Sequence, residues 1–225
     1  MTFSDAIYDA SYLLNSGIMT FGFSLRMEGQ HNMPASGPVL VLANHQSFLD
    51  PVIVGLAAGR RMCYLARKTL FRNRLFAGLI RAFRAVPIDQ DGVGKEGIRT
   101  VLDLLGAGKG VVVFPEGERT PTGELLPMRA GVHLLLRRTA CPIVPMGIAG
   151  AYDAWPRWRP YPVPAPLFWP ARPGAIAVSV APPIDSRQLL ALPREQFLDE
   201  LFNIIKKSCT RAEQLRRRQG RQRLG

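Results

Sequence analysis

Along this chain, short apolar runs alternate with stretches whose apolar residues recur at helical spacing. Val39-Leu40-Val41-Leu42-Ala43 is apolar throughout, and Met62 to Ala66, Gly110 to Phe114 and Cys141 to Ile148 repeat the pattern. Runs this short and valine-rich suit core strands of an α/β sheet. Between them, Val52 to Ala58 reads as a short helix ended near Gly59. Leu75, Phe76, Leu79, Ile80 and Phe83 share one side of a helix whose basic side carries Arg74, Arg81 and Arg84. Ile98, Val101, Leu102 and Leu105 mark a helix from Gly94 closed by Gly106, and Val132, Leu134, Leu135 and Leu136 mark another. Ala175 to Val180 reads as a late strand, placed at the sheet edge by Pro182 and Pro183, and a terminal helix follows over 194–215. No internal repeat or second domain interrupts this order.

The ends depart from the alternation. Ile7 to Leu25 is largely apolar, yet Asp5, Asp9 and Asn15 break it, so it falls short of a transmembrane span of about 20 apolar residues. Two readings fit it: an amphipathic helix at a membrane surface, or a helix packed on the core. Trp155 to Pro173 holds seven prolines and all three tryptophans, with Arg157, Arg159 and Arg172. Such a segment is neither helix nor central strand. Its tryptophan-arginine mixture suits a water-lipid boundary, and a loop folded back on the domain suits it equally.

Charge narrows the partners. The chain has 225 residues and a net charge of +12, which favours an anionic partner: a phosphate-bearing substrate, a membrane surface or nucleic acid. From Lys206 onward eight basic side chains stand against Glu213 alone, and a basic tail of this kind gains about 1 kcal/mol per cation near an anionic leaflet. No nucleic-acid-binding motif accompanies it, so no specific nucleic acid is expected. Cys63, Cys141 and Cys209 are far apart, the three histidines form no ligand cluster, and no secretory signal opens the chain. These observations predict no metal and a reducing, cytoplasmic setting.

The candidate chemistry lies where the first strand ends. Asn44-His45-Gln46-Ser47-Phe48-Leu49-Asp50-Pro51 follows Ala43, and Pro51 suits the first turn of a helix that Asp50 is placed to cap. His45 and Asp50 are five apart, so they meet only if the backbone turns between them. If they do, the imidazole can take a proton from a hydroxyl while the carboxylate fixes its tautomer. The bland alternative is a loop histidine beside a helix cap.

This stretch resembles the signature of the glycerolipid acyltransferases, the 1-acylglycerol-3-phosphate acyltransferase family. Three further blocks follow in that family's order. Phe83-Arg84-Ala85-Val86-Pro87-Ile88-Asp89-Gln90 is similar to its second block, except that Gln90 stands where the family has a phosphate-binding arginine. Arg84 or Arg119 then compensates, or the acceptor differs. Phe114-Pro115-Glu116-Gly117-Glu118-Arg119-Thr120 is similar to Phe-Pro-Glu-Gly-Thr-Arg-Ser, with Glu118 expected to point outward. Cys141-Pro142-Ile143-Val144-Pro145-Met146-Gly147-Ile148 resembles the family's apolar fourth block.

The resemblance spans about Met27 to Ile148 and implies catalytic His45 and Asp50, with Glu116, Gly117 and Arg119 at the acceptor and its phosphate. It also implies that either Lys68, where Lys68-Thr69-Leu70-Phe71 follows the second strand, or loop amides steady the oxyanion. The overall expectation is one acyltransferase domain over 1–225: an N-terminal helix (1–26) that associates with membrane, a catalytic core (27–192), and a C-terminal helix with its basic tail (193–225). The fold is a three-layer α/β sandwich around a mostly parallel sheet. The implied reaction moves an acyl group from acyl-CoA or acyl carrier protein to lysophosphatidate, at the cytoplasmic face of a membrane and without a cofactor. Two alternatives accompany it: another lysolipid or glycerol-3-phosphate as acceptor, and a non-catalytic basic protein.

Overall fold

The computed structural model describes residues 3–89, 94–167 and 174–221. Gln90 and Trp169 therefore lie outside the described residues. The elements run α1 (Phe3–Gly17), a π-helical turn (Ile18–Gly22), β1 (Arg26–Glu28), β2 (Val39–Ala43), α2 (Asp50–Ala58), β3 (Met62–Arg67), α3 (Arg74–Ala82) and β4 (Ala85–Ile88). They continue with α4 (Lys95–Gly106), β5 (Gly110–Val113), α5 (Gly131–Arg137), β6 (Ile143–Ala149), α6 (Ala151–Ala154), β7 (Ala177–Val180), α7 (Ser186–Leu190) and α8 (Arg194–Arg221).

All seven strands share one sheet in the order β1-β7-β6-β2-β5-β3-β4, parallel at every pairing except β6 with β7. Every residue of β2 is buried. Side chains alternate across a strand, so β2 serves two cores at once. Val39, Val41 and Ala43 join one cluster with α2, α6 and the π-helical turn, while Leu40 and Leu42 join the other with α4, α5, α7 and α8. Helices on both faces of the sheet give three layers.

Two positions explain why β6 tolerates its neighbours. The β6–β7 ladder begins at Met146, and Pro145 lies just beyond it with its carbonyl accepting from Ala181. The missing proline N–H therefore falls outside the ladder. Gly147 faces α8 so closely that a Cβ would run into the backbone of Ser208 and Cys209. Phe197, Leu201 and Ile205 of α8 are fully buried, each contributing about 1.5–3 kcal/mol from its burial. Because Phe197 shares a cluster with Ile143 while Arg216 approaches Gly150, α8 runs alongside β6 in the same direction.

The structure corrects several expectations. β7 lies inside the sheet, because the three-residue β1 pairs with its outer side; Pro182 and Pro183 end the strand without marking an edge. Ala85–Ile88 is an edge strand that the pattern did not separate from its motif block. α8 extends to Arg221. At the other end, Tyr8, Met19 and Phe23 are buried and the Tyr12 hydroxyl donates to the Leu56 carbonyl at 3.2 Å, whereas Leu13, Leu14, Ile18 and Phe21 stay exposed. The packed reading is met on the buried side, and the other side stays exposed. No helix among the described residues is long and apolar enough to cross a membrane.

Candidate active site

The sheet ends β2 at Ala43, and the next four residues are each fastened to a different part of the molecule. Asn44, 2% exposed, grips Ile148 of β6 at both main-chain groups: its Nδ2 donates to the carbonyl at 3.0 Å and its Oδ1 accepts from the amide at 2.7 Å. The side chain substitutes for the ladder and lets the backbone turn away from β6. His45 N donates to Glu116 Oε1 at 2.5 Å, and the His45 carbonyl accepts from Thr120 N at 2.9 Å. Gln46 Nε2 donates to the Gly123 carbonyl at 3.0 Å, and Ser47 Oγ donates to the Trp155 carbonyl at 2.7 Å.

This turn brings His45 and Asp50 together. Asp50 Oδ2 lies 2.7 Å from His45 Nδ1 and accepts from the amides of Gln46 at 2.6 Å and Ser47 at 2.7 Å. The sequence reading makes Asp50 a cap for α2; instead Leu49 holds the cap position and the carboxylate turns back onto the loop before it. Its side chain is 0% exposed and that of His45 20%, so the imidazole is the solvent-facing member. Phe114 stacks on the imidazole with ring centroids 4.1 Å apart and planes at 13°, fixing its plane from the β5 side. Fixed by a carboxylate on Nδ1 and a ring on one face, the imidazole is oriented to work through Nε2.

The second cluster is built onto the first. Gly117 adopts φ +79°, a conformation open to glycine, and an added Cβ would press on the Arg129 side chain. Glu116 is 1% exposed, and its second oxygen accepts from Leu126 N at 2.7 Å. Burial pushes its pKa from 4.5 up to about 7, opposed by these two amides and reinforced by the charge of Asp50. The resemblance gives Glu116 to the acceptor; here each of its oxygens accepts from a main-chain amide, which ties the two motifs together.

Arg119 is half-buried, with its guanidinium 3.7 Å above the Phe48 ring. Burial lowers its pKa, the charge of Asp50 raises it, and the charges of Arg67 and Arg157 lower it. The guanidinium therefore lies within electrostatic reach of the His45–Asp50 pair. Glu118 is drawn off by Arg129 at 2.8 Å and Arg157 at 3.5 Å. Of the two arginines offered to replace the one missing at Gln90, Arg84 sits at the start of β4, where its charge acts on Tyr8 and Cys63. That is the end of the sheet away from His45, whereas the charge of Asp50 acts on Arg119.

Lys68 is placed differently from the expectation. Its Nζ lies 2.6 Å from Asp89 and 3.6 Å from Glu96, and the Asp89 contact raises its pKa most. In the Arg67–Lys68 pair it is Arg67 whose charge reaches Arg119. The loop amides of His45, Gln46 and Ser47 are likewise committed to carboxylates. Sequence reasoning gave no role to Asn44 or Phe114, although both lie inside motif blocks it had singled out. A cavity of about 690 Å³ opens next to this wall, lined by Gln46, Gly123, Tyr152 and Cys209 among others, but not by His45 or Arg119. Among the described residues no group of histidine, cysteine and carboxylate side chains could hold a metal ion.

Comparison with known proteins gives the family and the fold. The 1-acyl-sn-glycerol-3-phosphate acyltransferase of Bacillus subtilis is 26% identical over 134 residues, 59% of this chain and 66% of that protein. The human 1-acyl-sn-glycerol-3-phosphate acyltransferase alpha is 32% identical over 139 residues, 59% of this chain and 48% of that protein. The chain thus spans less than two thirds of these relatives. The crystal structure of the 1-acyl-sn-glycerophosphate (LPA) acyltransferase PlsC from Thermotoga maritima shares the fold, with a TM-score of 0.68 at 23% identity, covering 89% of this chain and 79% of that one. The Acyltransferase family model matches residues 24–149, from just before β1 to the end of β6 and so across both motif clusters: this chain belongs to the acyltransferase family.

Proposed function

We propose that this chain transfers an acyl group from a thioester donor, acyl-CoA or acyl carrier protein, to the free hydroxyl of 1-acylglycerol-3-phosphate. The observation that carries the reading is the His45–Asp50 pair fastened through Glu116 and Thr120 to the turn that presents Arg119. Its relatives' names supply the acceptor.

In this reading Nε2 of His45 removes the hydroxyl proton as the oxygen attacks the thioester carbonyl carbon. Asp50 stabilises the imidazolium that forms. The tetrahedral oxyanion collapses, the carbon–sulfur bond breaks, and the imidazolium returns the proton to the departing thiolate. No protein nucleophile is consumed. Burial holds Cys209 at about 12 and raises Cys63 and Cys141, so all three thiols stay protonated. Arg119 binds the acceptor phosphate, with Gly117 allowing the backbone close to it. Lys68 would serve the oxyanion while sharing its Nζ with Asp89 and Glu96.

The test is thiol release from an acyl thioester across acceptors differing in headgroup, with His45→Ala as control. His45→Ala loses about 10²–10⁴-fold in turnover while melting like the wild type. Undiminished turnover in a folded His45→Ala protein refutes the assignment, and a preference for lysolipids lacking the phosphate refutes the acceptor.

A further inference from the structure

Of the ten large apolar side chains exposed among the described residues, seven fall in two segments. Leu13, Leu14, Ile18 and Phe21 are exposed by 72, 65, 49 and 58%, and Trp158, Tyr161 and Val163 by 62, 77 and 41%. The two segments are distant in sequence, and hydrogen bonds lace them together into a rim. Ala165 N donates to the Gly22 carbonyl at 2.8 Å, Leu167 N to the Phe21 carbonyl at 3.1 Å, and Ser24 Oγ to the Ala165 carbonyl at 2.7 Å. The rim runs on to the catalytic loop, where Ser47 Oγ holds the Trp155 carbonyl and the Phe48 ring lies 5.2 Å from that of Trp155.

Charge selects the occupant. The chain has 17 acidic residues, yet neither 10–27 nor 155–167 contains one. Arg157 and Arg159 flank Trp158, and the Arg159 guanidinium lies 4.8 Å over its ring. Arg157 also meets Glu118 at 3.5 Å, and Asp153 lies near Trp158 and Arg159, so the rim carries some negative charge; its aromatic side chains with polar tips and the cations beside them still match the boundary of an anionic bilayer, where rings sit at headgroup depth. Pro156, Pro160, Pro162, Pro164 and Pro166 keep the segment out of helix and sheet, so it presents its rings outward.

We propose that residues 155–167, with the exposed side of the Ile18–Gly22 turn, form a lip that docks on an anionic lipid surface and passes the membrane-held acceptor to His45. The proposal rests on the acyl-transfer reading above and adds the place of entry. Through Trp155, the lip is bonded to the loop that carries the imidazole, so a lipid leaving the surface meets the site directly.

The experiment compares wild type with a Trp158→Ser, Tyr161→Ser, Val163→Ser variant in two measurements. One is co-sedimentation with vesicles of phosphatidylcholine and phosphatidylglycerol. The other is turnover of long-chain acceptor in those vesicles against a short-chain monomeric acceptor. Vesicle binding and vesicle turnover fall roughly tenfold or more, while turnover of the monomeric acceptor and the melting temperature hold. Should the triple variant melt early, Tyr161→Ser alone gives a fall of about two- to threefold by the same measurements. Unchanged vesicle binding overturns the proposal, as does an equal loss with monomeric acceptor, or a variant whose change is dissociation of a self-associated form. If the wild type turns over neither acceptor, the acyl-transfer reading fails, yet vesicle binding still reads the lip on its own.

Discussion

Glu116 carries a pH signature that can be measured without substrate. Its carboxyl is buried, and burial raises its pKa from 4.5 to about 7. A carboxyl whose folded pKa is raised binds more protons in the native state than in the unfolded chain, so its contribution to stability is largest below the unfolded value. That contribution is lost as pH rises toward the folded one. A tenfold difference in proton affinity between the two states is worth about 1.4 kcal/mol, so between about pH 5 and about pH 8 the native state loses roughly 2 to 3 kcal/mol through this side chain. Glu116→Gln abolishes the titration. It also leaves the amide of His45 or Leu126 facing an NH₂ group, a cost of about 1–3 kcal/mol independent of pH. Urea unfolding of both proteins at several pH values separates the two effects. The variant is less stable in acid and gains on the wild type as pH rises, by about 2 to 3 kcal/mol across that range. Parallel stability profiles, with a constant difference at every pH, would refute a buried, titrating Glu116.

Other consequences follow from the same loop. In Asp50→Asn the amide oxygen can still face Gln46 and Ser47, but its NH₂ takes the place of Oδ1, a buried atom with no partner among the described residues. Stability drops by about 1–3 kcal/mol in urea titration. Turnover drops about 10³–10⁴-fold, as when the carboxylate orienting a catalytic imidazole is neutralised. Asn44→Ala removes both bonds to Ile148, and differential scanning calorimetry shows a loss of about 2–3 kcal/mol with a lowered kcat and little change in KM. Arg119→Lys keeps a positive charge but loses the planar fork and the contact with Phe48, so steady-state assays show KM for the phosphate-bearing acceptor raised about tenfold or more.

The architecture was legible where one residue type dominates a run. Val39–Ala43 reads as a core strand, and the structure buries it on both faces, while the helical spacing of Ile98, Val101 and Leu105 needed no tertiary information. β1 escaped because three half-buried residues carry no period, and Pro182 and Pro183 suggested an edge that β1 in fact covers. The pairing of His45 with Asp50 was open to sequence reasoning as a possibility, and the backbone turn between them decides it. The placement of Glu116, Lys68 and Asn44 was not legible. Each depends on a partner far along the chain: Leu126 N for Glu116, Asp89 for Lys68 and Ile148 for Asn44. Spacing identifies the residues that meet a ligand's charge, but not which charges the protein has already used internally.

β2 lies fourth among seven strands, with three on either side. Sheets fray from their margins inward, so breathing at β1 or β4 leaves the imidazole and its carboxylate undisturbed. Heat inactivation of this chain should therefore follow the loss of the whole fold, and the amides of Val39 to Ala43 should be among the last to exchange with deuterium.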